Sequence, residues 1–264
     1  GCVLIKNFAS SINPIDWKIR SGHLRPLSGF KPPKRCGSDF AGEIIAIADA
    51  TSPFKIGDKV YGFTNPIKGG GFAEYVVANT KHIAPIPDKL DFIDAGVIPL
   101  AALTALDALS GIANLQSGQR VVINGCSGGV GTFAVQIAKA LGAHVIGVCS
   151  SSNHTLAHSL GADEILDYTT DNHLSGLSNI TVFFDAVGTQ SLPKVRQLLS
   201  PKGIYITTLP SVGKLCSNLF NNLYNKQKSR VVMVKTSGDS LSTINQFVTA
   251  GKLKPVIEKI FSLH

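Results

Sequence analysis

Arg120 to Gly142 reads RVVINGCSGGVGTFAVQIAKALG. The apolar run Val121, Val122, Ile123 breaks at Gly125, and Gly128, Gly129 and Gly131 follow. Helical spacing then sets in at Phe133, Ala134, Ile137, Ala138 and Leu141. A buried strand, a glycine turn and a helix in that order can cradle a phosphate. Glycines let backbone N–H groups approach the anion, and the helix N-terminus favours its charge. The backbone of Ser127, Gly128, Gly129 and Val130 would supply those donors. The glycine spacing departs from G-x-G-x-x-G, and a strand-to-helix turn with no ligand is the plainer alternative. His144 to Ser150 (HVIGVCS) reads as a second buried strand. Sites for NAD carry an acid near the end of this strand to hold the ribose hydroxyls. Here the end is rich in hydroxyls, Ser150-Ser151-Ser152, and the first acid after Gly125 is Asp163. Without a carboxylate to repel a 2′-phosphate, NADP(H) is favoured over NAD(H). Helix capping by Ser152 or Asn153 is the competing reading.

Such a turn needs a parallel sheet behind it, and the pattern downstream of Asp91 provides one. Apolar helical spacing (Ala95, Val97, Ile98, Leu103, Leu106, Leu109) gives way to alternation. Strands are expected at 120–124, 144–149, 164–168, 181–186, 204–208 and 231–234. Helices are expected at 132–141, 155–160, 193–200 and about 240–250. Residues 1–88 differ in texture, with short apolar runs between glycines and prolines. Strands are expected at 3–5, 41–48 and 72–78, and turns at Lys55–Val60 and Lys68–Gly71, which together suggest an irregular β-barrel. Pro255–Leu263 reads as a return to that barrel. The expected architecture is α/β: residues 1–88 and 253–264 form the barrel, and 89–252 a doubly wound parallel sheet.

At 264 residues, 44% hydrophobic and 16% charged, the chain is long enough for two ordinary domains. No apolar run reaches membrane-spanning length and no cleavable signal is visible. The five cysteines (2, 36, 126, 149, 216) are scattered without a C-x-x-C, which argues against a disulfide framework or a zinc cluster and suggests a reducing cytoplasm. His154 and His158 have the spacing of a metal pair but read as exposed helix residues. The net charge of +8 is dispersed. Its densest run, Lys226-Gln227-Lys228-Ser229-Arg230, reads as a solvated loop, so nucleic acid is not the favoured partner.

Several segments together resemble the medium-chain dehydrogenase/reductase superfamily, and within it the zinc-independent, zeta-crystallin-like quinone oxidoreductases. They are Ser11-Ile12-Asn13-Pro14-Ile15-Asp16, Gly37–Glu43, Phe54–Val60, Gly71–Tyr75, Ala102–Leu106, the glycine turn and Gly161-Ala162-Asp163. The stretch NPIDWK looks closest to chloroplast-envelope quinone oxidoreductase homologues and their bacterial counterparts. The resemblance implies a GroES-like barrel beside a Rossmann domain, about 30 further residues before Gly1 and more after His264. In zinc-dependent relatives a Gly-His-Glu segment supplies a metal ligand. The matching positions here are Gly37-Ser38-Asp39, so no metal is expected.

By the same resemblance, Thr104 passes beneath the nicotinamide, although its hydroxyl can equally bond back into its own helix turn. The loop of Asn13 and Asp16 lines the substrate cleft, while an Asx-turn explains both residues structurally. Lys18 is the more chemical candidate, because an ammonium beside a carbonyl can polarise it or supply a proton. Tyrosines common in the family are replaced by Lys18 and Leu24. Ser150, Ser151 and Tyr168 match contacts to the 2′-phosphate, and a family lysine falls at Asn153. Val187 edges the cofactor cleft after Asp185-Ala186, and Thr208 and Leu209 reach the nicotinamide half. The implied activity is NADPH-dependent, zinc-free hydride transfer to a quinone or an α,β-unsaturated carbonyl. The protein is expected to be a homodimer paired along the strand at Val231–Val234. Two alternatives stand beside this reading: a non-catalytic NADPH-binding protein with an RNA-binding or structural role, and a module of a larger synthase.

Overall fold

The computed structural model describes residues 1–23, 35–209, 226–234 and 237–262. Leu24 and Cys216 lie outside the described residues. In chain order the elements are β1 (Cys2–Ala9), α1 (Pro14–Arg20), β2 (Asp39–Ile47), β3 (Lys59–Phe63), β4 (Tyr75–Asn79), β5 (Ile83–Pro85), α2 (Phe92–Gly96) and α3 (Pro99–Leu106). A π-helical turn, Asp107–Ile112, continues α3. Then come β6 (Arg120–Asn124), α4 (Gly129–Ala140), β7 (His144–Cys149), α5 (His154–Ser159), β8 (Glu164–Asp167), β9 (Ile180–Asp185), α6 (Leu192–Val195), β10 (Leu199–Thr207), β11 (Lys228–Val231) and α7 (Gly238–Thr249). These elements cluster into two compact units, residues 1–103 with 235–264, and residues 104–234. The sequence pattern set those divisions at 88/89 and 252/253.

The first unit is built on a five-stranded antiparallel sheet in the order β4-β1-β2-β3-β5. Alternation on these strands sends Val3, Ile5, Phe40, Ile44, Val60, Val76 and Ile83 into one apolar core. Register shifts at Leu4/Ile5 and Asn7/Ala9 in the β1–β2 pair help to curl the sheet. Several features differ from the sequence expectation, among them β4, which begins at Tyr75 and not at residue 72. Lys59 and Val60 do not end a turn but begin β3, since Gly57 at φ +92° already completes the reversal. The Asn13–Asp16 segment is more than a proline turn: Asn13 is the N-cap of α1, Pro14 takes the first helical position and Asp16 closes a capping box. α7 belongs to this unit, anchored where Asn245 accepts the Tyr61 hydroxyl at 2.6 Å and donates to Pro85 O at 2.9 Å. Residues 253–262 form no strand, so the expected return to the sheet is absent there; Leu263 lies outside the described residues.

The second unit holds a six-stranded parallel sheet in the order β11-β10-β9-β6-β7-β8. Its inner strands β6, β7 and β9 are largely apolar, as burial on both faces requires, and Val122, Ile146, Val148, Phe183 and Tyr205 share one core cluster. From β6 the chain proceeds outward through β7 and β8, then crosses back to β9 on the other side of β6. The C-terminal ends of β6 and β9 therefore flank the topological switch point, where open α/β sheets take their ligands. Boundaries move, α4 starting at Gly129 rather than 132, and the larger shifts lie toward β10 and β11. The helix expected at 193–200 is α6 followed by a 3₁₀ turn at Arg196–Leu198, and β10 already begins at Leu199. The edge strand is Lys228–Val231, not 231–234. Lys228 to Arg230 therefore pair with β10 and are not a solvated loop. Gln227 donates to the carbonyls of Arg196, Leu199 and Ser200 at 3.1–3.2 Å.

Candidate functional site

The turn after β6 is shaped by two different demands. Gly125 sits at φ +83°, and a Cβ there would stand 2.3 Å from Val187 Cγ2. At Gly131 a Cβ would fall 1.9 Å from Gly125 O, so only glycine lets α4 pack on the turn. Gly128 and Gly129 face no such constraint. Gly128 has φ −82°, and a Cβ on Gly129 would meet nothing within 4 Å. Their lack of side chains leaves open space in front of the helix end, a cradle that a Cβ would fill. The first intrahelical bond runs from Thr132 N to Gly128 O at 2.8 Å. The N–H groups of Gly129, Val130 and Gly131 thus lack intrahelical partners and face out of the helix end, where the dipole is positive. The Gly128 N–H is not among these donors, because it bonds Gly125 O at 3.1 Å. The geometry fits the pyrophosphate of a dinucleotide.

Asp185 orders the facing loop. Its buried carboxylate accepts from Asn124 Nδ2, Gly188 N and Gln190 N at 2.8 Å each, and from the Tyr205 hydroxyl at 2.9 Å. Burial and the neighbouring carboxylate push the Tyr205 phenol well above its ordinary range. These bonds tie the ends of β6, β9 and β10 together and set Val187 against Gly125. Thr208 donates from its hydroxyl to Ala186 O at 3.1 Å, and Leu209 packs on Gly188. Val187, Thr208 and Leu209 thus share one end of the sheet with the glycine turn. Thr104 lies buried in α3.

Ser150 and Ser151 follow β7, and Tyr168 follows β8 with its side chain 57% exposed. Ser152 and Asn153 do not cap α5 with their side chains. Ser150 Oγ instead bonds Ser152 Oγ at 2.9 Å and accepts from Asn153 Nδ2 at 3.1 Å. Sequence order hid one residue here. The register that pairs Cys149 with Asp167 brings a carboxylate to the strand end that lacked one. Asp167 accepts from Ser151 N at 3.0 Å and from both the N–H and the hydroxyl of Thr169. The Thr169 bonds lead in lowering its pKa, so it is an anion fixed on its own turn. His158 is exposed and turns its ring to Ala162 O, while His154 is half-buried.

In the first unit a polar cluster forms beneath α1. Asn13 Nδ2 donates to Ser11 Oγ at 3.0 Å and to Asp39 Oδ2 at 2.8 Å, while its Oδ1 caps Asp16 N. Both amide hydrogens are engaged inward, so Asn13 has no donor left for a substrate. Asp16 is buried, accepting from Asn13 N at 2.8 Å and Ser38 Oγ at 3.1 Å, and its pKa is raised chiefly by burial. Asp39, absent from the sequence-based site, accepts from Ser11 Oγ, Asn13 Nδ2 and, at 2.8 Å, Leu100 N. Burial raises its pKa to about 7 against those three lowering bonds. The signal lies in Gly37-Ser38-Asp39, a segment that both carries the resemblance and departs from the Gly-His-Glu of zinc-dependent relatives. Lys18 stands outside this cluster, its Nζ 5.6 Å from the Trp17 ring centroid. Among the described residues no three His, Cys, Asp or Glu converge into a metal site. No helix among them is long and apolar enough to cross a membrane.

A glycine-cradled helix end at the switch point of a parallel sheet, on a chain that also carries a curled antiparallel sheet, defines a class of dinucleotide-linked oxidoreductases. The Alcohol dehydrogenase GroES-like domain family matches residues 1–88, and the Zinc-binding dehydrogenase family matches residues 129–243. A chloroplastic quinone oxidoreductase of Triphysaria versicolor is 37% identical over all of this chain and 83% of its own length. A mitochondrial NAD(P)H oxidoreductase of Danio rerio is 32% identical over 98% of this chain and 77% of its own. The solved quinone oxidoreductase of Coxiella burnetii superposes with a TM-score of 0.89 at 31% identity, over 99% of this chain and 83% of that one. The chain belongs to the medium-chain dehydrogenase/reductase superfamily of oxidoreductases, among its quinone oxidoreductase-like members.

Proposed function

We propose that this protein is an NADPH-dependent, zinc-independent reductase of quinones or α,β-unsaturated carbonyl compounds. The open cradle at Gly128 and Gly129 carries the reading, because nothing within the chain itself requires glycine at those two positions. Gly129, Val130 and Gly131 would hold the pyrophosphate by their N–H groups. Ser150, Ser151 and Tyr168 offer a hydroxyl-rich rim to a 2′-phosphate, with Asp167 turned toward its own backbone donors. When bound, the reduced nicotinamide supplies a hydride.

The first unit supports the acceptor half. Ile12 is 71% and Trp17 46% exposed, an apolar and aromatic surface on which a planar acceptor can lie. Lys18 Nζ beside that ring can stabilise the oxygen on which negative charge gathers. Asn13 and Asp16 support this surface by fixing the start of α1. The names of the plant and bacterial relatives favour a quinone.

Steady-state oxidation of NADPH and NADH with a benzoquinone and a short enone tests the proposal. Turnover preferring NADPH is expected with at least one acceptor. Turnover with neither, or ethanol oxidation that a chelator abolishes, would overturn it.

A further inference from the structure

Asp39 is a buried acid to which the proposed reaction assigns no part. Its surroundings define where its proton can go. Asn13 gives one amide hydrogen to Ser11 Oγ and the other to Asp39 Oδ2. Leu100 N occupies Oδ1 at 2.8 Å. Ser11 Oγ therefore accepts from Asn13 and turns its single hydrogen to Asp39 when that residue is ionised. When Asp39 carries a proton on Oδ2, the direction reverses. The acid donates to Ser11 Oγ, Asn13 fills the second lone pair, and the Ser11 hydrogen must point elsewhere. Ser11 is partly exposed, beside Ile12 at 71% exposure.

We infer that Ser11 is the proton donor to the reduced acceptor and that Asp39 refills it, with Asn13 holding both in line. The inference rests on the proposed reductase activity. In an enone reduction, hydride adds to the β-carbon and leaves an enolate. The Ser11 O–H bond breaks as a C–H bond forms at the α-carbon. The Asp39 O–H bond breaks as Ser11 regains its proton, and the fully buried Asp39 recovers one from solvent by way of the partly exposed Ser11 hydroxyl. Hydride plus proton gives the saturated ketone, and no further reductant enters. A pKa of about 7 leaves both forms of Asp39 populated near neutrality. Among the described residues, the charge of Asp16 on α1 also acts to raise that value.

The test compares wild type, Ser11→Ala, Ser11→Thr and Asp39→Asn, using the short enone and the benzoquinone. Kd for NADPH and the melting temperature are measured alongside as checks on folding. Wild-type kcat for the enone should fall as pH rises through about 7. Ser11→Ala and Asp39→Asn should lose enone kcat on the order of 10²-fold, with KM and NADPH Kd little changed. In both variants the pH step and the solvent deuterium effect should disappear, and Ser11→Thr should retain them. Benzoquinone turnover should fall less, because water can protonate a hydroquinone anion. Folded Ser11→Ala with wild-type enone kcat and pH profile overturns the relay while leaving the reductase reading intact. Asp39→Asn serves as the second arm, and if it does not fold, Ser11→Ala alone decides. A wild type that binds no NADPH, or reduces neither acceptor, overturns the reductase reading and the relay with it.

Discussion

A carboxylate buried as fully as that of Asp185 is tolerated because four donors converge on it, from strands β6 and β10 and from the loop that follows its own strand. Asp185→Ala would remove the acceptor of the Gly188 and Gln190 N–H groups and one of the two acceptors of the Tyr205 hydroxyl, which keeps Gln190 O at 2.8 Å. It should destabilise the protein by about 3 kcal/mol or more in chemical denaturation. NADPH binding should weaken as well, since the same bonds set the loop against the glycine turn. Asp39 makes the opposite kind of demand. Its folded-state pKa of about 7 lies above the ordinary 3.8, so the native state holds a proton that the unfolded chain has lost. Stability from this group is therefore full at acid pH and is lost as pH rises from about 4 through about 7. The slope should reach up to about 1.4 kcal/mol per pH unit, and denaturation curves of Asp39→Asn should lack it. Neither role was legible from composition or spacing. Along the sequence Asp185 reads as a strand end at the edge of the cofactor cleft, and Asp39 as part of Gly37-Ser38-Asp39, the segment that matches Gly-His-Glu of zinc-dependent relatives. What each does depends on partners up to 61 positions away.

At the scale of elements, the strand, turn and helix from Arg120 to Ala140 were legible because local signals agree there: an apolar run, glycines, then helical spacing. The structure separates what the glycines are for. Gly129→Ala should leave the melting temperature unchanged or slightly raised, given alanine's better helix propensity, while weakening NADPH binding measurably. Gly131→Ala, with its Cβ 1.9 Å from Gly125 O, should lower the melting temperature sharply. Thermal melts with and without NADPH distinguish the two. Elsewhere local signals misled. Pro14 suggested a turn, yet proline at the first helical position stabilises α1. The acid beside Ser151 could not be read along the chain, because it arrives through the pairing of β7 with β8.

At the scale of the whole molecule, each sheet has edges to protect. β11 closes one side of the parallel sheet, and just beyond it Met233 is 75% exposed. Among the described residues β11 has no strand on its outer side, and a strand edge with a large apolar neighbour favours pairing with another chain. We propose a homodimer along this edge, and Met233→Glu should shift it toward monomer in sedimentation or size-exclusion measurements. On the opposite side, Arg120 pairs with Glu164 at 3.4 Å and Lys139 with Asp163 at 2.8 Å, and the His144 ring hydrogen-bonds Glu164 at 2.6 Å. The alternation of strands and helices made this sheet readable from sequence. The first unit was less readable, because its strands are short and set by long-range register. The division of labour among the turn's glycines also leaves a historical record. A descendant that abandoned the cofactor but kept the fold would hold Gly125 and Gly131 and drift freely at 128 and 129. Substitutions confined to that inner pair would mark a lineage that has retired from redox chemistry while its architecture stayed intact.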